Sequence, residues 1–194
     1  MLYLPPFFLS LCTLTLARFS PNATQRVCRL SASGGDDSLA ILEVFSRCSY
    51  DSTIIFESGT YHIERVMDTT GLKNVRIDMQ GYLLWGTDLD YWRNNGIPLG
   101  YLNVTTARRF GGSDILWEGQ DVGTFDGNGQ LWYDLAKGVS NLPGRPISLM
   151  ITNTSDSVFD SMRFVQSQFW TMAITHSKDL LLQNIYITAA CIIP

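Results

Sequence analysis

Two stretches near the end of the chain decide its fold: NTSDSVFDSMRFV at positions 153–165 and HSKDLLLQNIYIT at positions 176–188. Aligned from their first residues, they pair Asp156 with Asp179, Val158 with Leu181, Met162 with Ile185 and Phe164 with Ile187. Looser copies of the same polar-polar-apolar-x-apolar unit occupy positions 73–77 and 113–117. A unit that recurs at a spacing of about 20 to 50 residues is typical of a solenoid.

The strands of this repeat are too short and too closely spaced for strand–helix–strand crossovers. They predict an all-β fold, a parallel β-helix in which each coil is one rung and inward Ile, Val, Leu and Phe side chains stack into a continuous core. A β-sandwich or jelly roll also has strands every 8 to 12 residues or so and is the alternative. It does not require apolar positions that stay in register from one copy of the unit to the next.

One helix is predicted, at positions 36–46. Asp36, Asp37 and Ser38 are good N-caps, and acidic side chains suit a helix N-terminus. Leu39, Leu42 and Phe45 follow at a spacing of three and form one apolar stripe.

The composition indicates one folded domain with few charges. The chain has 194 residues, of which 45% are hydrophobic and 16% charged, with a net charge of −4. Global disorder is therefore excluded, and nucleic acid is not expected as a partner because phosphate binding requires a basic surface. No run of Lys or Arg exceeds two in a row, so stable membrane association through a polybasic patch is not expected either.

The segment from Met1 to Ala17 is typical of a secretory signal peptide. It contains no charged side chain, its apolar part is too short to span a bilayer, and it ends on the small residues Thr15 and Ala17. The sequence therefore predicts a secreted, extracellular protein, with a short membrane-skimming anchor as the alternative. The sequons at Asn22, Asn103 and Asn153 predict N-glycosylation and agree with secretion.

The four cysteines fit an oxidising compartment. Cys12 lies in the signal peptide, whereas Cys28 and Cys48 flank the predicted helix and are expected to form a disulfide. Cys191 is left over near the end of the chain.

No cofactor or metal is expected, because His62 and His176 have no ligand partner at metal spacing and no dinucleotide fingerprint occurs. Aromatic residues in or beside polar turns are more informative, since sugar rings stack on such side chains. Most of them are expected to belong to the core: Trp85, Tyr91, Trp92, Trp117, Trp132, Tyr133, Phe169 and Trp170.

Four stretches resemble the fungal branch of glycoside hydrolase family 28, and in particular its exopolygalacturonases. They are GYLLWGTD at 81–88, GTFDGNGQLWY at 123–133, GRP at 144–146 and FVQSQFWTM at 164–172. The resemblance, which runs from about Ser38 to Thr188, implies a right-handed, pectin-lyase-like parallel β-helix capped by the N-terminal helix. It also implies metal-free, inverting hydrolysis of α-1,4-linked galacturonic acid in pectin, polygalacturonate or a related plant cell-wall polysaccharide.

The family's catalytic motifs are Asn-Thr-Asp-Gly, an Asp-Asp pair, Gly-His-Gly and Arg-Ile-Lys, and none of them follows the last resembling stretch. The one Asp-Asp pair in the 194 residues, Asp36–Asp37, is interpreted as the cap of the predicted helix and not as catalytic carboxylates. Positions 18–188 are therefore interpreted as the N-terminal part of the glycosidase domain and positions 189–194 as a divergent tail. No catalytic residue is assigned, and the chain is expected to be truncated, inactive and prone to self-association through the open end of the solenoid. Two alternatives are a non-catalytic β-helical binder of acidic polysaccharide and a chain that never accumulates as a folded protein.

The resemblance predicts a sugar cleft near Arg145, Gln168 and Trp170. If a further rung stacks in register, its catalytic Asp lies above Trp170 and its motif Asn lies above Gln168. Arg145 falls one rung back from Gln168 at the spacing of the repeat, where it can pair with a uronate carboxylate. Strict strand alternation favours burial of Trp170, whereas a turn just before it resets the alternation.

Overall fold

The computed structural model describes residues 25–100, 103–139 and 141–189. The predictions for the signal peptide, Cys12, Asn22 and Cys191, and for all but the first residue of the tail, lie outside these ranges.

Within the described ranges, three helices and sixteen strands form. The helices are α1 (Ser38–Arg47), α2 (Leu89–Asn95) and α3 (Gln130–Ala136). The strands are β1 (Arg26–Leu30), β2 (Tyr50–Phe56), β3 (Thr60–Ile63), β4 (Met67–Met79), β5 (Tyr82–Trp85), β6 (Ile97–Pro98), β7 (Thr105–Thr106), β8 (Arg108–Glu118), β9 (Thr124–Asp126), β10 (Pro146–Ile147), β11 (Leu149–Thr152), β12 (Ser155–Asp160), β13 (Arg163–Val165), β14 (Met172–Thr175), β15 (Lys178–Gln183) and β16 (Tyr186–Thr188).

The strands make three faces of a coil. Parallel pairing joins β1, β2, β4, β8, β12 and β15 in one face, and β3, β5, β9, β13 and β16 in another. The first residues of β4 and β8 extend onto a third face with β11 and β14. A small sheet of β6, β7 and β10 contains the one antiparallel pair among these strands. This topology confirms the parallel β-helix and rejects the sandwich.

The predicted register is confirmed. Val158 pairs with Leu181 and Phe164 with Ile187, as the alignment of the two repeats requires. The matched pair of β12 and β15, Val158 and Leu181, does not face the core, since Leu181 is 44% exposed. The next pair along these strands, Phe159 and Leu182, faces inward instead, and Phe159 is fully buried. The repeat predicts the register but not which of the two pairs points into the core. Successive side chains of a strand point to opposite faces, so an error of one position reverses the assignment.

The core consists of side chains stacked from rung to rung. One such column contains Ile54, Ile77, Trp117, Phe159 and Leu182, joined by the strand register. The first four are fully buried, and Leu182 is partly buried against the same cluster. Rung-to-rung stacking therefore supplies the burial that no single coil could provide alone.

Helix α1 lies close to its prediction, but it begins differently and the predicted apolar stripe is wrong at Leu39, which is 59% exposed, whereas Ile41 and Val44 are buried. Asp36 accepts a hydrogen bond from the Ser38 amide at 2.9 Å, as a cap should. The buried Asp37 carboxylate instead accepts from the amides of Ser33 and His62, at 2.9 and 3.1 Å, and so ties the helix start to the neighbouring coil.

The expectation of a single helix is wrong. Helices α2 and α3 have seven residues each, too few for a repeating apolar stripe to show in the sequence. Each is anchored by one buried tryptophan, Trp92 in α2 and Trp132 in α3. Asp88 caps α2 by accepting a hydrogen bond from the Tyr91 amide at 2.9 Å.

The predicted disulfide is present. It joins Cys28 in β1 to Cys48 at the end of α1, with the Cα atoms 6.6 Å apart. Both cysteines are buried in the core cluster, so the bond fastens the helix to the first strand. Among the described helices, none is long and apolar enough to cross a bilayer.

One corner of the coil is a ladder of left-handed residues. Asp51, Asn74, Asp114, Asp156 and Asp179 have φ between 43° and 55° and occupy equivalent register positions. Asn and Asp tolerate this conformation better than most side chains, because they hydrogen-bond locally. The Asn74 amide donates to Asp51 at 2.6 Å, which links two rungs directly.

Candidate functional site

The structure brings together the residues predicted for the sugar cleft. Arg145 lies just before β10, and its Nε donates a hydrogen bond to the backbone oxygen of Gln168, one rung on. Its guanidinium carbon lies 5.6 Å from the ring centre of Tyr133 and 5.2 Å from that of Phe169. The cation thus lies within cation–π distance of two aromatic rings, and a guanidinium can pair with a carboxylate through two parallel hydrogen bonds.

Burial affects the ionisation of this group. It lowers the pKa of Arg145, and the neighbouring Tyr133 phenol acts in the opposite direction. An arginine starts from so high a pKa that the guanidinium stays charged under physiological conditions. The site therefore presents a fixed positive charge in a chain whose net charge is −4.

Gln168 supports the site from beneath. It is only 1% exposed, and its side-chain oxygen accepts a hydrogen bond from the hydroxyl of Ser148 at 2.7 Å. The side chain is therefore committed to internal packing, while its backbone oxygen holds Arg145.

Trp170 is accessible to ligand. It is 41% exposed, whereas the other four tryptophans of the chain are at most 1% exposed. Its ring stacks on that of Phe169, with centroids 4.9 Å apart and planes 20° from parallel. It lies in the turn before β14, so strand alternation does not reach it. The pair offers an apolar platform of the kind that the faces of sugar rings stack on.

A cavity of about 100 Å³ lies beside this group, lined in part by Asn103, Leu142, Arg145 and Phe169. Phe169, one of the eight aromatic residues of which most are expected in the core, lines the cavity and lies under the guanidinium. Asn103 is exposed and has a positive φ of 53°, so a glycan attached there would stand at the rim. Asn153 is likewise exposed.

The arrangement can bind, but it does not hold a catalytic pair. Inverting hydrolysis of a glycoside needs one carboxylic acid to protonate the leaving oxygen and one carboxylate to activate water. Arg145, Phe169 and Trp170 supply a cation and an aromatic surface. A cation and an aromatic surface of this kind can bind an anionic sugar, but neither group can act as the acid or the carboxylate.

Comparison with known proteins identifies the family. The model of glycosyl hydrolases family 28 matches residues 103–191. An Aspergillus niger protein named α-L-rhamnosidase rgxB is 43% identical over 164 residues, which are 83% of this chain and 38% of the relative. An exopolygalacturonase of Cochliobolus carbonum is 34% identical over 169 residues, 85% of this chain and 37% of that protein.

A solved structure agrees with these sequences. The endo-xylogalacturonan hydrolase of Aspergillus tubingensis superposes with a TM-score of 0.71 at 26% identity, covering 85% of this chain and 44% of that one. The chain thus spans less than half the length of each of these three proteins. The quoted motifs, the parallel β-helix and these matches agree, and the chain belongs to family 28 of the glycosyl hydrolases.

Proposed function

We propose that this chain is the N-terminal part of a secreted, exo-acting hydrolase that cleaves α-1,4-galacturonosyl bonds of pectin with inversion. The observation that carries the proposal is the 34% identity with an exopolygalacturonase across 85% of the chain. The Arg145 site supports it, because a guanidinium beside a stacked aromatic pair suits a sugar that carries a carboxylate. A purely non-catalytic binder is not favoured, since the named relatives are hydrolases.

In this proposal the chain supplies recognition. Arg145 pairs with the uronate carboxylate, Phe169 and Trp170 support the sugar ring, and Gln168 keeps Arg145 in place. The carboxylic acid and the carboxylate that do the chemistry belong to the family motifs, of which Asn-Thr-Asp-Gly, Gly-His-Gly and Arg-Ile-Lys do not occur in the 194 residues. The one Asp-Asp pair, Asp36–Asp37, lies at the start of α1, where its carboxylates accept hydrogen bonds from backbone amides. The 194-residue chain is accordingly proposed to bind substrate without cleaving it.

A second candidate is the hydrolysis of terminal α-L-rhamnosyl units. The 43% identity with the Aspergillus niger α-L-rhamnosidase favours it. Rhamnose carries no carboxylate, so in that case Arg145 would have to pair with a neighbouring galacturonate of the same polymer.

We expect the 194-residue chain to release no reducing ends from polygalacturonate. Loss of a general acid or base typically lowers a rate by a factor of about 10² to 10⁴, and here both are lacking. A chain extended through the family motifs is expected to hydrolyse polygalacturonate. In that chain, Arg145→Ala should lower kcat/KM about tenfold or more, the loss expected for a charge-assisted hydrogen bond, and Trp170→Ala should lower it by a similar factor because the stacking surface is lost.

Matched controls are an exposed arginine and an exposed aromatic residue away from the cleft, Arg47→Ala and Tyr50→Ala, which should leave kcat/KM unchanged. Turnover by the unextended chain would show that its own residues perform the chemistry. Release of rhamnose instead of galacturonate by the extended chain would select the second candidate.

We also propose that the unextended chain self-associates through β14, β15 and β16. Ile174, Leu181 and Ile187 on these strands are 46%, 44% and 55% exposed. Exposed apolar side chains beside unpaired strand edges favour pairing with another chain. Size-exclusion chromatography with light scattering should show dimers or larger species, and Leu181→Lys with Ile187→Lys should shift them to monomer. A monomer at every concentration of the unaltered chain would contradict this.

A further inference from the structure

A polar cavity near the Arg145 site lies between α2 and the residues Pro143 and Gly144. Its volume is about 440 Å³, and its walls include Asp90, Arg93, Asn94, Asn103 and Thr105. The smaller cavity at Arg145 shares Asn103, Pro143 and Gly144 with it. The two cavities are therefore parts of one cleft, which continues from Arg145 to α2.

Gly144 brings two arginines to this cleft. A Cβ at Gly144 would lie 2.9 Å from the backbone oxygen of Arg93 and 3.0 Å from its Cα, and the glycine has a φ of +77°. The segment can therefore pack directly on Arg93 only because residue 144 has no side chain. Arg145 follows immediately, so the two guanidinium-bearing residues flank one glycine.

Arg93 has its charge available. Its side chain is exposed, and it makes no ion pair with any residue in the described ranges. Asp90 lines the same cavity one turn earlier, and the Asn94 amide is bonded to the backbone oxygen of Asp90 at 2.7 Å. The cavity thus combines one cation with carboxylate and amide groups that accept hydrogen bonds from hydroxyls.

A further polar atom of the wall lacks a partner. The Thr105 hydroxyl oxygen is buried and has no hydrogen bond with the described residues. The backbone of Gly96 packs closely on it, since a Cβ there would lie 2.5 Å from the hydroxyl oxygen. A buried hydroxyl without a partner is unusual in a folded protein and is satisfied by water or by a ligand.

We infer that this cavity, the Arg93 subsite, binds a second uronic acid unit, adjacent to the unit held at Arg145. The inference rests on the proposed function and names a further substrate-binding residue, Arg93, on a helix that the sequence had not indicated. A uronic acid carries both hydroxyls and one carboxylate, which matches a site with acceptors and a single unpaired cation. A neutral sugar has no carboxylate that could pair with the guanidinium of Arg93.

The test compares ligands of different length and charge on the purified, unextended chain. Calorimetry with galacturonic acid, its trimer and the fully methyl-esterified trimer separates the two positions. The unaltered chain should bind the acidic trimer more tightly than the monomer or the ester. Arg93→Gln should weaken trimer binding about tenfold and leave monomer binding unchanged, because the monomer occupies only the Arg145 position.

Two further variants complete the design. Arg145→Gln should weaken monomer and trimer alike, and the exposed Arg47→Gln, which removes the same charge outside the cleft, should change neither. Equal trimer affinity in Arg93→Gln and the unaltered chain overturns the inference, as does equal affinity for trimer and ester. The inference is also overturned if the unaltered chain does not bind the trimer. In that case the hydrolysis assay on the extended chain still tests the proposed function separately.

The rim residue Asn103 provides one more outcome. Mass spectrometry of its peptide shows whether a glycan is attached. If the trimer binds only after Asn103→Gln removes a glycan, the cavity holds the protein's own sugar and the inference is rejected.

Discussion

Gly112→Ala is expected to lower the free energy of unfolding by more than about 3 kcal/mol, enough to unfold a marginally stable domain. A Cβ at Gly112 would lie 2.0 Å from the backbone oxygen of Leu72 in the rung below, a distance that no side-chain movement relieves. The residue also has a φ of +153°, which L side chains rarely adopt. Both effects act on backbone that is fixed by neighbouring rungs.

The local register explains this close approach. Between the pairs Thr69–Phe110 and Leu72–Gly112, β4 advances by three positions and β8 by two, so β4 carries one extra residue there. Gly111 has the same role toward the rung above, since its Cβ would lie 2.0 Å from the backbone oxygen of Thr152. Glycine in a strand interior often marks such a bend or close approach.

The matched control is Gly71→Ala. Gly71 also has a positive φ, of 78°, but a Cβ there would meet nothing within 4 Å. It should therefore lose only about 1 to 2 kcal/mol, the conformational penalty alone. Urea unfolding followed by far-ultraviolet circular dichroism measures both variants. Equal losses in the two would show that the clash at Gly112 is relieved by movement of the rungs.

Arg108→Met is expected to raise the free energy of unfolding by about 1 to 4 kcal/mol. Arg108 is fully buried, and its Nε and Nη1 atoms have no hydrogen-bond partner among the described residues. Its Nη2 donates to the Thr69 hydroxyl at 3.5 Å. Methionine is flexible enough to fill the space and carries no charge that must be desolvated.

Four aromatic rings partly offset the burial of this charge. The guanidinium carbon lies 5.0 to 5.9 Å from the ring centres of Phe45, Phe110, Trp117 and Phe125. A desolvated cation–π contact is worth about 2 kcal/mol, whereas the effective penalty for burying an ion is several kcal/mol even after relaxation. We expect the desolvation penalty to exceed the attraction, because no carboxylate pairs with Arg108 among the described ion pairs.

The pH dependence gives an independent measurement. Burial lowers the pKa of Arg108 to about 9. The unfolded chain therefore binds this proton more tightly than the folded one, so the penalty is complete below pH 9 and shrinks as the pH rises above it. Arg108→Met should be stabilising at neutral pH and should lose part of that advantage as the pH rises past the pKa of the folded state.

Arg108→Ala serves as the control, because it removes the charge and also leaves a cavity. It should destabilise by about 2 to 5 kcal/mol relative to Arg108→Met. If Arg108→Met is instead less stable than the unaltered chain at neutral pH, the aromatic rings outweigh desolvation, and the buried cation stabilises the core.

The arrangement of the rungs could be predicted from the sequence because it repeats. Val158 with Leu181 and Phe164 with Ile187 show the spacing directly, and parallel strands of a solenoid keep the same spacing in space. The disulfide of Cys28 with Cys48 was predictable for a similar reason, since both lie close to one short helix. Helices α2 and α3 were not, because a helix of seven residues with one buried tryptophan carries no period.

The sequence likewise predicted one part of the candidate site and missed another part. Arg145 and Gln168 are separated by one turn of the coil and so meet across one rung, as the repeat predicts. The sequence around these positions did not show that the Gln168 side chain is buried or that Trp170 alone among the tryptophans is exposed. It also did not show that Arg93 reaches the same cleft.

The sequence by itself determined the coil, its register and the disulfide, because each depends on spacing along the chain. It also determined the family, through the resemblance of the quoted motifs. Only the tertiary structure decided which side chains face solvent and which cations are left without partners among the described residues. Those properties depend on packing between residues far apart in sequence, as at Arg108, which meets Phe45 and Phe125 from other coils. The same packing lets Gly144 bring Arg93 and Arg145 together, since that contact requires the absence of a Cβ at one position.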